Sequence, residues 1–243
     1  MRTMTFSKRC AKEILRDPIN LCFGLGFPII LLLLLSTMQK NIPNDLFSIQ
    51  TLAPGITVFG LSFITLFSAT LVAKDRESSF IQRLYTSPMQ SYDFILGYTL
   101  PIIPIALMQA VVSYAFSAIL GLEITLNTAY AILMVIPISI FYIALGLLCG
   151  SMLGVKQVGG ICGALLTNVS AWLSGVWFDI SLLGGALEKV ANVLPFLHAV
   201  ELERHILTGD LGGSLPHLGI VLLYATVTTV GAVYVFLNQM KKQ

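Results

Sequence analysis

The chain has 243 residues, of which 56% are hydrophobic and 11% are charged, with a formal net charge of +2. Soluble domains carry about 25% charged residues, so this chain has too few charges to cover a soluble globule. The small net charge is spread over short loops, which excludes a basic stripe for nucleic acid. With a mean hydropathy of +0.86, the composition predicts an all-α membrane protein in contact with a lipid bilayer.

A basic amphipathic segment at 5–17 comes first in the chain. Its apolar residues share one side of a helix: Phe6, Cys10, Ala11 and Ile14. Such a segment is expected to be an interface helix that lies along the inner membrane surface. We expect it to end at Asp17-Pro18, because the residue before a proline disfavours the α conformation.

Six apolar stretches reach the length of about 20 residues that a spanning helix needs. We predict spans at roughly 19–38, 52–73, 95–120, 128–153, 158–178 and 217–238. Eleven of the 14 Lys and Arg residues fall in the N-terminal segment, the second and fourth loops and the tail. Cytoplasmic loops are enriched in these residues, so both termini are predicted to be cytoplasmic.

Two sets of residues within the spans suggest packing or a substrate pathway. Glycines at four-residue spacing, which favour close helix packing, are Gly146, Gly150 and Gly154. Their partner helix is predicted to lie either in the same chain or in a second copy. Candidates for a pathway are the aromatic residues Phe59, Phe63, Phe67 and Trp172 and the deep polar residues Gln109 and Asn168. An aromatic stripe at this spacing is more often ordinary helix packing than a pathway.

The segment at about 181–207 is unusually apolar for an external loop. A helical stripe in its first half consists of Leu183, Leu187, Val190, Ala191 and Leu194. Pro195 interrupts this stripe, and neither half is long enough to span a bilayer. The pattern predicts a re-entrant helical hairpin, and the alternative is an amphipathic loop that packs on the spans.

The sequence lacks the residue patterns of a proton relay, a metal site and a phosphate-binding loop. The predicted spans contain no Asp, Glu, Lys or Arg, which argues against a proton relay or an intramembrane catalytic site. The three histidines lie in or beside the last external segment without a metal-ligand spacing, so no metal site is predicted. The dipeptide Gly-Lys does not occur, which excludes a phosphate-binding P-loop. If ATP is used, another chain must bind it.

The second cytoplasmic loop, at about 74–87, is the most distinctive stretch. It mixes three basic and two acidic residues with an apolar patch and ends in Ser87-Pro88. It is interpretable either as a solvated positive loop or as a docking element with aromatic and arginine anchors. The candidate docking residues are Arg76, Glu77, Phe80, Ile81, Arg83 and Leu84.

The order of these features resembles the permeases of the ABC type-2 exporter family. The resemblance is carried by Asp75-Arg76-Glu77-Ser78, Arg83-Leu84 and Ser87-Pro88, by Leu52-Ala53-Pro54-Gly55-Ile56, and by Leu173-Ser174-Gly175-Val176-Trp177-Phe178 with Leu194-Pro195. Asp179 stands where the family often has a proline.

The resemblance implies a half-transporter in the plasma membrane of a bacterium. Two copies, or this chain and a paralogue, would supply twelve spans above two copies of an ATP-binding subunit. That subunit would bind ATP and Mg²⁺, and the 74–87 loop would dock on it as a coupling helix. The chain itself would hold no cofactor and would not be an enzyme.

The substrate expected from the apolar spans is a small amphiphilic compound such as a drug, an antibiotic or a lipid. Export of a polysaccharide remains open. A membrane scaffold without transport of its own is an alternative of a different class, and a channel or secondary transporter is a third.

Overall fold

The computed structural model describes residues 2–42, 47–78 and 91–242, and within these ranges every regular element is helical. The helices are α1 (Arg2–Leu15), α2 (Pro18–Gln39), α3 (Ile49–Glu77), α4 (Ser91–Thr99), α5 (Ile102–Ile119), α6 (Leu126–Met152), α7 (Val155–Val158, Gly159–Leu166 and Thr167–Trp172), α8 (Gly185–Val193), α9 (Pro195–Thr208) and α10 (Leu211–Lys242). Short π-helical stretches occur at Cys22–Gly26 in α2 and at Gly159–Leu166 in α7.

Five stretches of the described chain are long and apolar enough to cross a membrane. They are Pro18–Gln39, Ile49–Glu77, Tyr92–Ile119, Leu126–Met152 and Leu211–Gln239. The all-helical membrane fold is therefore confirmed. The predicted span at 158–178 corresponds to α7, which ends at Trp172 before Gly175 adopts a φ of +71° that favours glycine. The count of six spans stays a prediction.

Helix α3 forms the centre of the bundle. Its most apolar window is 89% buried, whereas those of α2 and α10 are 22% buried. Helices α2, α5, α6, α7 and α9 all pack around it. Because α3 is enclosed by protein, its apolar residues meet other side chains, and the peripheral helices expose theirs as a lipid-facing helix would.

Glycines of α6 allow its backbone to touch that of α3. A Cβ at Gly146 would lie 2.5 Å from the carbonyl oxygen of Thr65, and a Cβ at Gly150 would lie 2.5 Å from that of Ala69. The Thr65 hydroxyl donates to the carbonyl of Tyr142 at 2.9 Å, which adds a hydrogen bond across the same contact. The partner of these glycines is thus a helix of the same chain.

The apolar side of α1 packs on α4. Phe6, Cys10 and Ile14 are buried, and the Phe6 ring meets those of Phe94 and Tyr98 with centroids 5.8 and 5.0 Å apart. Burial raises the pKa of the Cys10 thiol to about 12, so this thiol stays protonated as a packing group. Helix α1 is therefore held by protein contacts on its apolar face, and its position at the membrane surface stays a prediction.

The segment before α10 forms two helices joined at Leu194-Pro195. Pro195 occupies the first turn of α9, where a missing N–H costs nothing. Helix α9 packs on α3, α6 and α10. Its Glu203 is fully buried and accepts a hydrogen bond of 2.6 Å from the hydroxyl of Tyr114 in α5. This bond ties the hairpin to the spans.

Replacing Gly150 with alanine is expected to lower the free energy of unfolding. The new Cβ would meet backbone atoms of Ala69, which cannot rotate aside, and overpacking of this kind costs about 1–3 kcal/mol. Gly159→Ala is the matched control, because nothing lies within 4 Å of its Cβ position. Thermal unfolding in detergent measures both, and equal midpoints would contradict the close contact between α3 and α6.

The stability of the fold is expected to fall as the pH rises from about 5 to about 8. Burial raises the pKa of Glu203 from 4.5 to about 8, so the folded state binds a proton that the unfolded state releases. The stabilisation is complete below the unfolded pKa and is lost as the pH passes the folded pKa. Unfolding midpoints of the wild type should show this slope.

Glu203→Gln should flatten that slope because the amide is neutral at every pH. Glu123→Gln, at an exposed position, is the control and should keep the slope of the wild type. Parallel slopes in wild type and Glu203→Gln would show that another group titrates.

Candidate functional site

Consecutive residues at the C-terminal end of α3 bind several different helices. Asp75 is 1% exposed. Its carboxylate accepts hydrogen bonds from both terminal nitrogens of the Arg9 guanidinium in α1, from Nη2 at 2.6 Å. The hydroxyl of Tyr98 in α4 donates to the same carboxylate at 2.9 Å. The buried charge of Asp75 is therefore satisfied by donors from two other helices, as a buried carboxylate requires.

Arg76 and Glu77 hold the connection between α6 and α7. Arg76 donates to the carbonyls of Gly150 and Leu153 at 2.7 and 3.3 Å, which have no partner within α6 at its C-terminal end. Glu77 accepts from the backbone N–H of Val155 at 2.8 Å. Its negative charge suits the N-terminus of α7, so both helix ends are capped by side chains of α3.

Lys74 completes the set with an exposed ion pair to Asp17 at 3.4 Å. Asp17 caps the first turn of α2 through the N–H of Asn20. We call Lys74, Asp75, Arg76 and Glu77 the junction. Through it, one turn of α3 contacts α1, α4, the end of α6, the start of α7 and the start of α2.

The predicted docking residues fall in two groups. Arg76 and Glu77 belong to the junction and bind the same chain. Phe80, Ile81, Arg83 and Leu84 lie outside the described residues. Docking of the loop at about 74–87 on another subunit stays a prediction. Gly154, predicted as a packing residue, lies beside the junction, with its Cβ position 3.0 Å from Glu77 Oε1.

An aromatic cavity of about 430 Å³ lies between α2, α3 and α7. Its lining consists of Phe23, Phe27, Phe59, Phe63, Trp172 and Trp177, with Gly163, Thr167, Asn168 and Ala171. The Phe59 ring meets Phe63 and Trp177 with centroids 5.8 and 5.6 Å apart. None of these side chains is charged, so the cavity suits an apolar ligand with aromatic character.

Four of the six predicted pathway residues line this aromatic cavity: Phe59, Phe63, Asn168 and Trp172. Phe67 lies elsewhere, against Gly24 of α2, where a Cβ would meet its ring at 2.6 Å. Gln109 is buried between α5 and α3 and donates to Ser113 at 3.1 Å. It fills the space that the absent side chain of Gly60 leaves. Phe67 and Gln109 therefore pack helices together.

A second cavity of about 560 Å³ lies between the start of α3, the chain after α7, and the hairpin. We call it the vestibule. Its charged and titratable lining residues are Asp179, Glu188, Glu201, Arg204, His198 and His217. Arg204 pairs with Glu201 at 2.8 Å and donates to the carbonyl of Gly175 at 2.9 Å.

Two carboxylates of the vestibule have no cationic partner within salt-bridge distance among the described residues, those of Asp179 and Glu188. The backbone N–H of Ser181 donates to Asp179 at 2.9 Å, and this bond lowers the pKa of the Asp179 carboxyl. Asp179 is therefore ionised at neutral pH. Arg204, paired with Glu201, also acts on Asp179 through its charge. Against this one cation stand the carboxylates of Asp179, Glu188 and Glu201, so the vestibule has a negative net charge when its histidines are neutral.

The three histidines of the chain lie together beside the vestibule. The carbonyl of Asn192 only accepts, so His198 carries a proton on Nε2, 2.8 Å away. Neutral His198 then accepts at Nδ1 from His217, at 2.8 Å. His205 is bound to Asp210 at 3.0 Å. Each ring thus has a hydrogen-bonding role, and no group of three metal-binding side chains was found in the described ranges.

Sequence reasoning missed Trp177, Phe23 and Phe27 as cavity residues. Trp177 lies past the end of α7, in a turn that helical periodicity does not describe. A compositional signal was present, because both tryptophans of the chain, Trp172 and Trp177, fall within six residues. The junction was also missed, since a basic and acidic run reads equally well as a solvated loop.

Comparison with known families bears on this architecture. The model of the ABC-2 type transporter family matches residues 1–208, which include the junction, the aromatic cavity and the hairpin. A comparison with curated proteins found no match. Since the family match covers most of the sequence, this chain belongs to the ABC-2 type transporters and is a multi-pass membrane component of such a transporter.

Proposed function

We propose that the chain is the permease subunit of an ATP-driven exporter. It moves a small amphiphilic compound, such as a drug, an antibiotic or a lipid-like molecule, out across the plasma membrane of a bacterium. Energy comes from two copies of a cytoplasmic subunit that bind ATP and Mg²⁺. A second permease copy or a paralogue completes a set of twelve spans, and both termini of each chain lie in the cytoplasm.

The observation that carries this proposal is the position of the aromatic cavity on α3. Phe59 and Phe63 line the cavity, and Asp75 lies twelve residues further along the same helix, about 18 Å away at 1.5 Å per residue. A substrate cavity and a junction beside the loop to a partner are thus parts of one buried helix. Such a helix supports transmission of a displacement as rigid-body motion.

The junction supports a coupling role for the loop that follows it. If an ATP-binding subunit displaces residues 79–87, the displacement reaches the end of α3 at Glu77. The charge-assisted hydrogen bonds of Asp75 and Arg76, which are stronger than neutral ones, then transmit the displacement to α1, α4 and α6. We propose that Phe80, Ile81, Arg83 and Leu84 make the docking contacts, while Arg76 and Glu77 transmit the motion.

The lining of the aromatic cavity favours an amphiphile over a polysaccharide. A glycan presents many hydroxyl groups, each of which loses hydrogen bonds to water on entering an apolar cavity. Besides the two indole N–H groups, the polar groups of the described lining belong to Thr167 and Asn168, and the Thr167 hydroxyl and the Asn168 amide nitrogen already donate to carbonyls of α7. Six aromatic rings instead match an apolar or aromatic body.

Export is tested by accumulation of amphiphilic compounds in cells that express the chain with and without its ATP-binding partner. The wild-type pair should lower accumulation of at least one apolar compound, and a Walker-lysine variant of the partner should abolish the effect. If the pair forms a complex that hydrolyses ATP but never changes accumulation, the scaffold alternative replaces the exporter.

Arg76→Gln is expected to uncouple transport from ATP hydrolysis. The change removes hydrogen bonds of a charged group, worth about 1.5–3 kcal/mol, between α3 and the connection of α6 with α7. Substrate-stimulated ATPase activity should fall by about tenfold, while co-purification with the partner persists.

Lys74→Gln is the matched control for that variant. It removes the same charge from the same turn but breaks only an exposed ion pair, which is worth about 0–1 kcal/mol. Its stimulated ATPase activity should stay near that of the wild type. Equal losses in both variants would mean that the charge itself, and not the Arg76 contacts, supports coupling.

We also propose that α8 dips into the outer leaflet. Leu187, Val190 and Val193 are 56%, 47% and 64% exposed on this short helix, and a lipid environment would cover them. In a cysteine-free background, a cysteine at Leu187 should resist a membrane-impermeant thiol reagent. A cysteine at Glu188, which lines the vestibule, should react. Rapid labelling at both positions would overturn the re-entrant placement.

A further inference from the structure

The aromatic cavity has the chemistry of a site for a large organic cation. The faces of aromatic rings carry negative charge density and attract cations, as in the aromatic cages that bind quaternary ammonium groups. Six rings line this cavity, and among the described residues no anionic side chain does. A small ion would lose too much hydration there. A bulky cation with its charge spread over apolar groups loses less, because its hydration is weak.

Asn168 adds a hydrogen-bond acceptor to the cavity. Its amide nitrogen donates to the carbonyl of Ala164 at 2.8 Å. The reverse orientation would place two acceptors against each other, so the amide orientation is fixed by chemistry. The amide oxygen is the end of the side chain left to accept a hydrogen bond. Together with the rings, it favours a cationic ligand over an anionic one.

The vestibule, like the aromatic cavity, favours a positively charged ligand. Trp177 lines both the aromatic cavity and the vestibule, so a ligand at this ring lies at the border of the two. On the vestibule side, Asp179 and Glu188 carry charges without a salt-bridge partner in the described chain. A cation that passes Trp177 therefore moves from aromatic rings to carboxylates.

We propose that the aromatic cavity and the vestibule form one route for a lipophilic organic cation. The rings hold its apolar body, and Asp179 and Glu188 bind its charge beyond Trp177. This inference rests on the proposed export function and narrows the substrate from amphiphiles in general to cationic ones. It also gives the vestibule a role in drawing the cation outward.

Intrinsic fluorescence tests the route directly, because both tryptophans of the chain line the aromatic cavity. The probes are tetraphenylphosphonium and tetraphenylborate, which have similar shapes and opposite charges. They are titrated into the full-length chain in neutral maltoside micelles. Tetraphenylphosphonium should quench saturably and bind about tenfold more tightly than tetraphenylborate. Equal or tighter binding of the anion would overturn the proposal.

The double variant Asp179→Asn with Glu188→Gln should weaken tetraphenylphosphonium binding by about tenfold, as expected for two nearby charges partly exposed to water. Asparagine also caps a helical turn, so the turn at Ser181 is retained. Glu123→Gln removes an exposed carboxylate outside both cavities and should change the affinity by less than about twofold. Unchanged affinity in the double variant would remove the vestibule from the route.

The single-tryptophan variants locate the bound cation. With Trp172→Phe, the remaining signal comes from Trp177 at the border, and with Trp177→Phe it comes from the aromatic cavity alone. Saturable quenching in both variants supports a bound cation in the aromatic cavity that reaches the border at Trp177, and the Asp179 and Glu188 double variant then tests the vestibule. Quenching that disappears in both, with a folded protein by circular dichroism, would overturn it.

Failure of this inference is distinguishable from failure of the exporter. The complete complex with its ATP-binding partner is assayed for ATPase stimulation by tetraphenylphosphonium and by the neutral triphenylphosphine oxide. Stimulation by the neutral compound alone keeps the exporter and overturns the cation preference. Saturable binding of the cation without stimulation or transport of any compound keeps the site and overturns the exporter.

Discussion

The buried carboxylate of Asp75 is the contact on which the packing at the end of α3 depends. A charge that is 1% exposed is tolerated only if donors surround it, and removing one member of such a pair costs about 3–5 kcal/mol. Arg9 and Tyr98 supply those donors from α1 and α4. The requirement of one carboxylate thus fixes two helices against a third.

The neighbours of Asp75 extend this constraint to the turn between α6 and α7. Helix ends leave carbonyls and N–H groups without partners. Arg76 donates to carbonyls at the end of α6, and Glu77 accepts from an N–H at the start of α7. Each side chain carries the charge opposite to that of the helix end. Gly150 takes part twice, since its carbonyl accepts from Arg76 and its missing Cβ admits Ala69. Close backbone packing and side-chain capping therefore stabilise the same interface between α3 and α6.

Hydropathy was sufficient to predict the helical membrane fold, because the bilayer thickness dictates the length of any apolar span. It was not sufficient to place each aromatic residue. Phe59, Phe63 and Phe67 share a four-residue spacing, but each step turns the helix about 40° past a full circle. Phe67 is therefore rotated about 80° from Phe59, away from the cavity and toward Gly24. Helical periodicity could not predict that Trp177 lines the cavity, because its position depends on a turn through Gly175.

Helix α3 contributes residues to the vestibule, the aromatic cavity and the junction. Thr51, near its start, lines the vestibule, and its carbonyl accepts from Arg204 of the hairpin at 3.4 Å. Phe59 lies at the aromatic cavity, and Glu77 ends the helix at the junction. At 1.5 Å per residue, its 29 residues span about 43 Å. Protein encloses most of its apolar length, so one continuous helix connects the contacts at Glu77 with those at Thr51. The burial and length of α3 are thus what would connect the proposed partner at one end with the proposed ligand at the other.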